Sequence, residues 1–336
     1  MLILVTDPAA TNHVAGDHHP ESPQRHRAVM AAASDHVLDG AIQIVAPRAA
    51  TDEELLRVHD AAMLARLAAV SGRTAQLDAD TAVSPESIDI ARRGAGAGLV
   101  AIESLRTGIG AAAFCAVRPP GHHATPSTPM GFCLLNNIAV TAASLVAAGE
   151  RVLIADFDAH HGNGTQDIFW DEPSVLFVSW HQAPLYPGTG RIGETGGPAA
   201  SGQTINIPFA PGTTGDSYQA TVDRLVGPLI EAFAPTWLLI SAGFDGHRDD
   251  PLTDLGLSSG DFAQLTSVLM QTVPAGRTVA FLEGGYDLAA LQASATATMA
   301  ALIGEEVHPE RPSSGGAGSE RREQIITTLA DAHGLR

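Results

Sequence analysis

The chain has 336 residues, of which 45% are hydrophobic and 17% are charged, so it can bury a large core and is not globally disordered. Its formal net charge is −18, and all 19 basic residues are arginines. This balance disfavours binding to nucleic acid and suits cationic partners such as basic peptides or polyamines, although solubility alone is the simpler explanation for it.

The cysteines and the first residues bear on cellular location. Cys115 and Cys133 give no disulfide framework, which fits a reducing compartment. The apolar run at residues 1–5 has no basic region before it and no cleavage site after it, so it predicts a first strand rather than a signal peptide. No apolar stretch is long enough to cross a membrane. These features predict a soluble cytoplasmic protein.

Short apolar segments alternate with longer segments of helical periodicity along the chain. The predicted strands are residues 2–6, 42–46, 112–117, 152–157, 175–180, 204–207, 236–241 and 278–283. The predicted helices are residues 22–34, 52–70, 85–106, 134–148, 216–233, 259–272 and 287–303. This alternation predicts an α/β fold with a single central parallel sheet of about eight strands and helices on both faces. In such sheets, ligands bind at the carboxyl ends of the strands.

The apolar run at residues 152–155, in the predicted strand 152–157, ends abruptly in acids and imidazoles. Because side chains alternate along an extended chain, Asp156, Asp158 and His160 project to one side. The Asp158-x-His160 spacing and its oxygen and nitrogen donors suit zinc, and Asp245, after the neighbouring strand, is the natural third ligand. Each acid alone is more often a helix cap, but three ligands at matching strand ends favour a metal. The same donors also accept ferrous iron.

A hydrolytic metal site also needs a group that moves protons. His122 and His123, in a glycine-flanked turn after a strand, are the candidates. We expect Asp156 to orient one imidazole and Asn163 the other. Tyr286 is a candidate donor to a developing oxyanion, and a half-buried aromatic side chain is an equally good explanation for it.

These residues belong to longer motifs that span nearly the whole chain. The motifs are 19–25 (HPESPQR), 118–124 (RPPGHHA), 131–133 (GFC), 136–137 (NN), 156–166 (DFDAHHGNGTQ), 186–190 (YPGTG), 242–245 (AGFD) and 283–286 (EGGY). In this order they resemble the zinc-dependent histone deacetylase family, closest to its class II branch and to the bacterial amidohydrolase-like branch of the acetylpolyamine amidohydrolase superfamily. Asn163 stands where class I members have aspartate, and Tyr286 stands where weakly active class IIa members have histidine.

The resemblance implies the arginase–deacetylase fold and one zinc ion bound to Asp158, His160 and Asp245. It also implies the division of labour between the two imidazoles. His123 is expected to act first as a general base and then as an acid, while His122 acts electrostatically.

The resemblance further implies a narrow channel for the stem of an acyl-lysine side chain. Phe132 and Tyr186 would form opposite walls, although the family more often has phenylalanine at the second position. Gly131 and Leu252 would also line the channel, and Asp80 would hold the substrate backbone at its rim.

A structural potassium ion near the zinc is implied as well. Its expected ligands are the side chain and carbonyl of Asp156, the Ser179 hydroxyl, and the carbonyls of Asp158, His160 and Trp180. A second monovalent site would use carbonyls around Phe169 and Val175.

An arginase-type ureohydrolase would share this fold but use two manganese ions. Its strand ends carry Asp-x-His-x-Asp and Ser-x-Asp-x-Asp patterns. Here Gly162 follows the Asp-x-His pair and Gly243 interrupts the second pattern, so both acids that would hold a second metal are missing. We therefore reject this alternative.

Acetylpolyamine hydrolysis is the alternative within the family. Polyamine-specific members place an acid near the channel mouth, where this chain has Leu252. An uncharged mouth favours acyl-lysine in a peptide over a free polyamine. A non-catalytic acyl-lysine binding protein would be expected to have lost a metal ligand, His123 or Tyr286, and none is lost.

The sequence therefore predicts a zinc-dependent hydrolase of linear amide bonds that removes acetyl or other short acyl groups from lysine side chains of proteins or peptides. Deacetylation of a small acetylated amine is the alternative. We expect no nucleic-acid or membrane partner, and the oligomeric state, homo-oligomers included, stays open. We expect the deacetylase catalytic domain to cover residues 1–307. Over 308–336 we expect a Pro/Ser/Gly-rich linker and a short helix, at 319–333, that packs on the same domain.

Overall fold

A computed structural model describes residues 1–307 and 309–335; His308 and Arg336, in the predicted C-terminal segment, lie outside the described residues. The strands are β1 (Leu2–Thr6), β2 (Ile42–Val45), β3 (Ala75–Gln76), β4 (Ala82–Val83), β5 (Ala112–Ala116), β6 (Val152–Asp156), β7 (Val175–Gln182), β8 (Thr204–Phe209), β9 (Trp237–Ala242) and β10 (Thr278–Leu282). β3 and β4 form a separate antiparallel pair. The other eight strands form one parallel sheet in the order β2-β1-β5-β10-β9-β6-β7-β8. The predicted parallel sheet is confirmed.

Helices cover both faces of this sheet. The helices are α1 (Pro23–Ala33), α2 (Asp52–Leu55), α3 (Ala61–Val70), α4 (Ser87–Arg106), α5 (Asn137–Ala147), α6 (Asn163–Phe169), α7 (Gly215–Thr221), α8 (Gly227–Phe233), α9 (Ser259–Met270), α10 (Leu288–Leu302) and α11 (Arg322–Ala332). α1, α9 and α10 lie over one face, and α4 and α5 lie over the other. Among the described helices, none is long and apolar enough to cross a membrane.

The strands of the sheet are continuous apolar runs because both of their faces are covered. In β6, Leu153 and Ala155 belong to the core on one face, while Val152 and Ile154 belong to the core on the other. The apolar run stops at Asp156, the last residue of the strand. The polar residues that follow therefore emerge at the carboxyl edge of the sheet.

The predicted helix 52–70 is divided into α2 and α3, which corrects the prediction. The ring of His59, in the break, accepts a hydrogen bond from the amide of Asn136 (2.9 Å) and donates one to the carbonyl of Thr125 (3.0 Å). These partners are far away in sequence, so helical periodicity alone could not reveal the break. The break supports the loop that follows the predicted histidine pair.

Three other predicted helices differ in detail. Residues 216–233 form α7 and α8 joined by a π-helical turn, Val222–Val226, just before Pro228, which has no amide hydrogen to donate. The predicted helix 134–148 begins only at α5, because Asn136 caps its first turn through its side chain. α11 begins later than the predicted residue 319, after a 3-10 turn. α6, a short helix that begins inside the 156–166 motif, was not predicted.

The C-terminal segment packs on the sheet domain near α9. Glu310 accepts hydrogen bonds from the ring of His247 (2.8 Å) and from the amide of Ser259 (2.9 Å). Arg322 of α11 forms an ion pair with Asp216 of α7 (3.3 Å). These contacts agree with a C-terminal segment that packs on the main domain, and the boundary at residue 307 stays a prediction.

Candidate active site

The histidine pair, the predicted zinc ligands and Tyr286 lie at the carboxyl ends of four neighbouring strands, β5, β10, β9 and β6. The loop after β5 carries the histidine pair, and the loops after β6, β9 and β10 carry the predicted metal ligands and Tyr286. Parallel strands end at the same edge of a sheet, so segments that are distant in sequence meet there.

Asp158, His160 and Asp245 form a compact cluster of potential metal ligands. One ligand atom from each residue lies within 4.8 Å of the others. His160 Nδ1 lies 2.8 Å from Asp245 Oδ2 and 3.2 Å from Asp158 Oδ1. Two carboxylates and one imidazole converging in this way match the donor set of a catalytic zinc site. The three residues therefore fit the metal that the sequence predicts.

Main-chain amides hold the two carboxylates in place. The amide of Gly284 donates to Asp158 Oδ2 (2.8 Å), and the amide of Ala159 donates to Asp245 Oδ1 (2.8 Å). Burial and the nearby Asp158 charge raise the pKa of Asp245 to about 7. A divalent cation between the carboxylates would offset this repulsion, as expected for a preformed metal site.

Glycines allow the close approach of these acids. A Cβ atom on Gly243 would lie 2.0 Å from Asp158 Oδ2, and one on Gly162 would lie 2.2 Å from Asp156 Oδ2. These are the two positions at which a two-metal ureohydrolase needs acids. In this structure neither position has room for any side chain.

The two adjacent imidazoles have different partners. His122 Nδ1 donates to Asp156 Oδ2 (2.9 Å), and His123 Nδ1 donates to Asn163 Oδ1 (2.8 Å). The predicted pairing of Asp156 and Asn163 with the two histidines is therefore present in the structure. The ring centroids of the two histidines are 4.0 Å apart.

These partners separate the pKa values of the two rings. Burial alone would lower the pKa of His122, but the Asp156 and Asp158 carboxylates outweigh it and raise that pKa well above its usual value. Burial and the nearby His122 charge lower the pKa of His123 well below its usual value. These opposite shifts favour the charged form of His122 and the neutral form of His123, and a neutral His123 can accept a proton.

Asp156 and Ser179, two expected potassium ligands, are partners on neighbouring strands. The Ser179 hydroxyl also lies 3.0 Å from His181 Nδ1. The indole of Trp180 is buried and donates to Thr221 (2.9 Å); the expected ligand from this residue is its main-chain carbonyl. Potassium binding stays a prediction.

Two buried charged residues that the sequence analysis left without a role support the site. Glu283 Oε2 accepts hydrogen bonds from the amides of Gly121 (2.6 Å) and His122 (3.2 Å), and so holds the histidine turn. The guanidinium of Arg25 lies 5.0 Å from the ring centroid of Tyr286. Both residues lie inside the matching motifs. The sequence could have indicated a role for Glu283, because a charged residue directly follows a buried apolar strand there.

A cavity of about 240 Å³ leads to these groups. Its lining residues are Asp80, His123, Gly131, Phe132, His160, Leu185, Tyr186, Leu252 and Tyr286. All five predicted channel residues are among them, and Leu185 was not predicted. The cavity therefore joins the candidate metal site to the protein surface.

Aromatic rings form the walls of this channel. Phe132 packs edge-on against Tyr286 (ring centroids 5.9 Å apart), and Tyr186 packs edge-on against His123 (5.2 Å). Gly131 has φ +54°, and a Cβ atom there would lie 2.5 Å from the His123 ring. At the rim, burial and the neighbouring Asp78 raise the pKa of Asp80.

Comparison with known proteins gives the family of this chain. A family model for the histone deacetylase domain matches residues 19–302. The chain belongs to the histone deacetylase family. A probable deacetylase of Archaeoglobus fulgidus is 39% identical over 74% of this chain and 70% of that protein. A histone deacetylase-like amidohydrolase of Pseudomonas aeruginosa is 37% identical over 84% of this chain and 74% of that protein.

The fold is also that of the family. The crystal structure of the HDA15 HD domain superposes with a TM-score of 0.90 at 34% identity, covering 98% of this chain and 95% of that chain. The predicted arginase–deacetylase fold is therefore confirmed. Family membership supports deacetylase, and hence hydrolase, activity on an acetylated substrate.

Proposed function

We propose that this protein is a zinc-dependent deacetylase that removes acetyl or another short acyl group from lysine side chains of proteins or peptides. The observation that carries the proposal is the meeting of three parts at the base of one narrow channel. These parts are the ligand cluster of Asp158, His160 and Asp245, the two differently paired imidazoles, and Tyr286.

Asp158, His160 and Asp245 would hold the zinc ion. When bound, zinc supplies a Lewis acid that lowers the pKa of water and polarises an amide carbonyl. In this family the site is generally a zinc site, and the donor set of this chain suits that metal.

His123 moves the proton in this mechanism. The Asn163 side-chain oxygen accepts from Nδ1, so Nδ1 carries the hydrogen and Nε2 is left with a lone pair. Nε2 removes a proton from the attacking water and then transfers it to the departing lysine amine, which leaves poorly when unprotonated. The lowered pKa of His123 keeps this atom unprotonated at the start of the reaction.

His122 and Tyr286 stabilise charge. The Asp156 carboxylate favours the cationic form of His122 beside the reacting centre, where the positive charge would stabilise the developing oxyanion. Burial raises the pKa of Tyr286 well above its usual value, so its hydroxyl stays protonated and can donate to that oxyanion. The potassium site predicted around Asp156 and Ser179 would stabilise the same strand ends.

The mouth of the channel favours a peptide substrate. Leu252, at the position where an acid would recognise the second amine of a polyamine, is apolar and 38% exposed. Asp80 at the rim can accept hydrogen bonds from the backbone amides of a peptide. Asp80 and Asp78 would also attract a cationic amine, and for that reason an acetylpolyamine is the second candidate substrate.

The test compares kcat/KM for an acetyl-lysine peptide, N-acetylputrescine and N-acetylspermidine, with and without a metal chelator. We expect the peptide to be hydrolysed most efficiently and chelation to abolish the reaction. Faster turnover of the polyamines would overturn the assigned substrate. Turnover that is insensitive to the chelator would overturn the metal-dependent mechanism.

A further inference from the structure

Asp250 lies in the loop that carries Leu252, against the loop that carries Tyr286, and the proposed mechanism does not use it. It is 6% exposed. Its Oδ1 accepts a hydrogen bond from the amide of Leu252 (3.0 Å). Its Oδ2 accepts from the amides of Tyr286 (2.7 Å) and, more distantly, Asp287 (3.4 Å). One buried carboxylate therefore joins a wall of the channel to the oxyanion donor.

Tyr286 needs such support because of the residues that precede it. Gly284 and Gly285 come directly before it, and Gly285 has φ +121°, a conformation that L side chains rarely adopt. Because glycines have no side chain, they restrain the backbone little. Arg25 Nε donates to the carbonyl of Gly285 (2.7 Å) and so holds the chain on the N-terminal side of the tyrosine. Asp250 accepts from the amide of Tyr286, the other end of the same peptide unit, so two charged side chains hold the peptide that leads into the tyrosine.

We propose that Asp250 is a positioning residue that fixes Tyr286 for donation to the oxyanion, an assignment that rests on the proposed function. The reason is chemical. A carboxylate has only acceptor oxygens, so it can bind amides of both loops at once. An asparagine has a single acceptor oxygen, and its NH₂ group would face the amide hydrogens of one of the loops.

The expected effect is on turnover rather than on substrate binding. Displacing the Tyr286 hydroxyl removes part of the stabilisation of the oxyanion, and complete loss of one such donor costs roughly 10²–10³-fold in turnover. Asp250→Asn should therefore lower kcat by about 10–100-fold, since a displacement of about 1 Å can cost 10²-fold. KM for an acetyl-lysine peptide and the zinc content should change little.

The experiment is a double-mutant cycle on the zinc-loaded protein. The variants are Asp250→Asn, Tyr286→Phe and the double variant, with Asp249→Asn as the control because Asp249 is the exposed neighbouring acid. If Asp250 acts through Tyr286, Asp250→Asn should lower kcat in the parent protein and have little further effect in the Tyr286→Phe background. Additive losses, or an unchanged kcat in Asp250→Asn, would overturn the proposal.

Turnover is counted per folded, zinc-loaded molecule, with folding checked by thermal unfolding. If Asp250→Asn does not fold, Asp250→Glu replaces it in the cycle, because it keeps the charge and moves the oxygens by one methylene. Unchanged kcat in a folded Asp250→Glu would count against the proposal. Failure of the parent protein to hydrolyse the peptide would contradict the proposed function itself, whereas an active parent with an unaffected Asp250→Asn would contradict only the role of Asp250.

Discussion

The base of the catalytic pocket and its mouth differ in how their side chains are held. At the base, Asp156, Asp158 and Asp245 are at most 1% exposed, and each accepts a hydrogen bond from a main-chain amide. At the mouth, Tyr186 and Leu252 are each 38% exposed.

We expect this difference to separate the chemical step from substrate specificity. The base of the pocket is built on strand ends, where the sheet fixes the backbone and where glycine positions have no room for a larger side chain. The mouth is built on loops, which tolerate substitution. Substitutions at the base should therefore reduce turnover or stability strongly, whereas substitutions at the mouth should mainly change which substrate is preferred.

The largest expected effect is that of removing His123, the proposed proton shuttle. His123→Ala should lower kcat for an acetyl-lysine peptide by roughly 10²–10⁴-fold, the usual contribution of general acid–base catalysis, while zinc content stays the same. His36→Ala is the control, since the His36 side chain is 88% exposed. Retention of near-parental turnover in His123→Ala would remove the proton shuttle from the account.

A substitution at Glu283 tests whether the stability of the pocket floor depends on buried hydrogen bonds to the main chain. Glu283→Ala leaves the amides of Gly121 and His122 without their acceptor, and each buried unpaired donor costs ~1–3 kcal/mol, so the free energy of unfolding should fall by roughly 2–6 kcal/mol. Urea unfolding of metal-free protein measures this change without a contribution from the metal. Exposed Glu305 provides the control, and a loss no larger than that of Glu305→Ala would contradict the assignment.

Asn163 tests the cause of the different pKa values of the two imidazoles. In Asn163→Asp a carboxylate would face His123 Nδ1, favour the charged ring and raise the pKa of His123. A base with a raised pKa is protonated at higher pH, so the acid limb of the kcat/KM profile should move to higher pH by about one unit or more. Activities of the two proteins should converge on the alkaline side of that limb.

Asn12→Asp, at an exposed position, makes the same charge change away from the site and should leave the profile in place. An acid limb of Asn163→Asp at the parental pH would mean that Asn163 does not set the protonation of His123.

A substitution at the channel mouth should have a smaller effect, and it should change substrate preference rather than stability or the pH profile. Leu252→Glu should improve kcat/KM for N-acetylspermidine only several-fold, because an exposed ion pair is worth ~0.2–1 kcal/mol. Leu252→Gln, similar in shape but uncharged, is the control. A loss of all turnover in Leu252→Glu would contradict the separation of mouth from base.

Much of the fold and of the candidate site could be predicted from the sequence. Strands such as β6 are apolar runs of the right length, and the polar residues after them mark the carboxyl edge of the sheet. The three potential metal ligands and the partners of His122 and His123 meet there as expected. Their chemical roles stay predictions that the experiments above test.

The remaining features depend on contacts between distant parts of the chain. The break between α2 and α3 follows from hydrogen bonds of His59 to residues at 125 and 136. The contributions of Glu283 and Asp250 are hydrogen bonds from side chains to main-chain amides of other loops. Such bonds leave no periodic pattern in a sequence, and only the folded chain reveals them.

We propose that one metal ion, held by Asp158, His160 and Asp245, supports deacetylation. The most direct test of this proposal is a titration of metal-free protein with zinc, in which bound zinc and hydrolysis of an acetyl-lysine peptide are followed together. We expect activity to rise to its maximum at about one zinc per chain, and Asp245→Asn neither to bind zinc tightly nor to recover activity. Full activity of the metal-free protein, or a requirement for two metal ions per chain, would contradict the proposal.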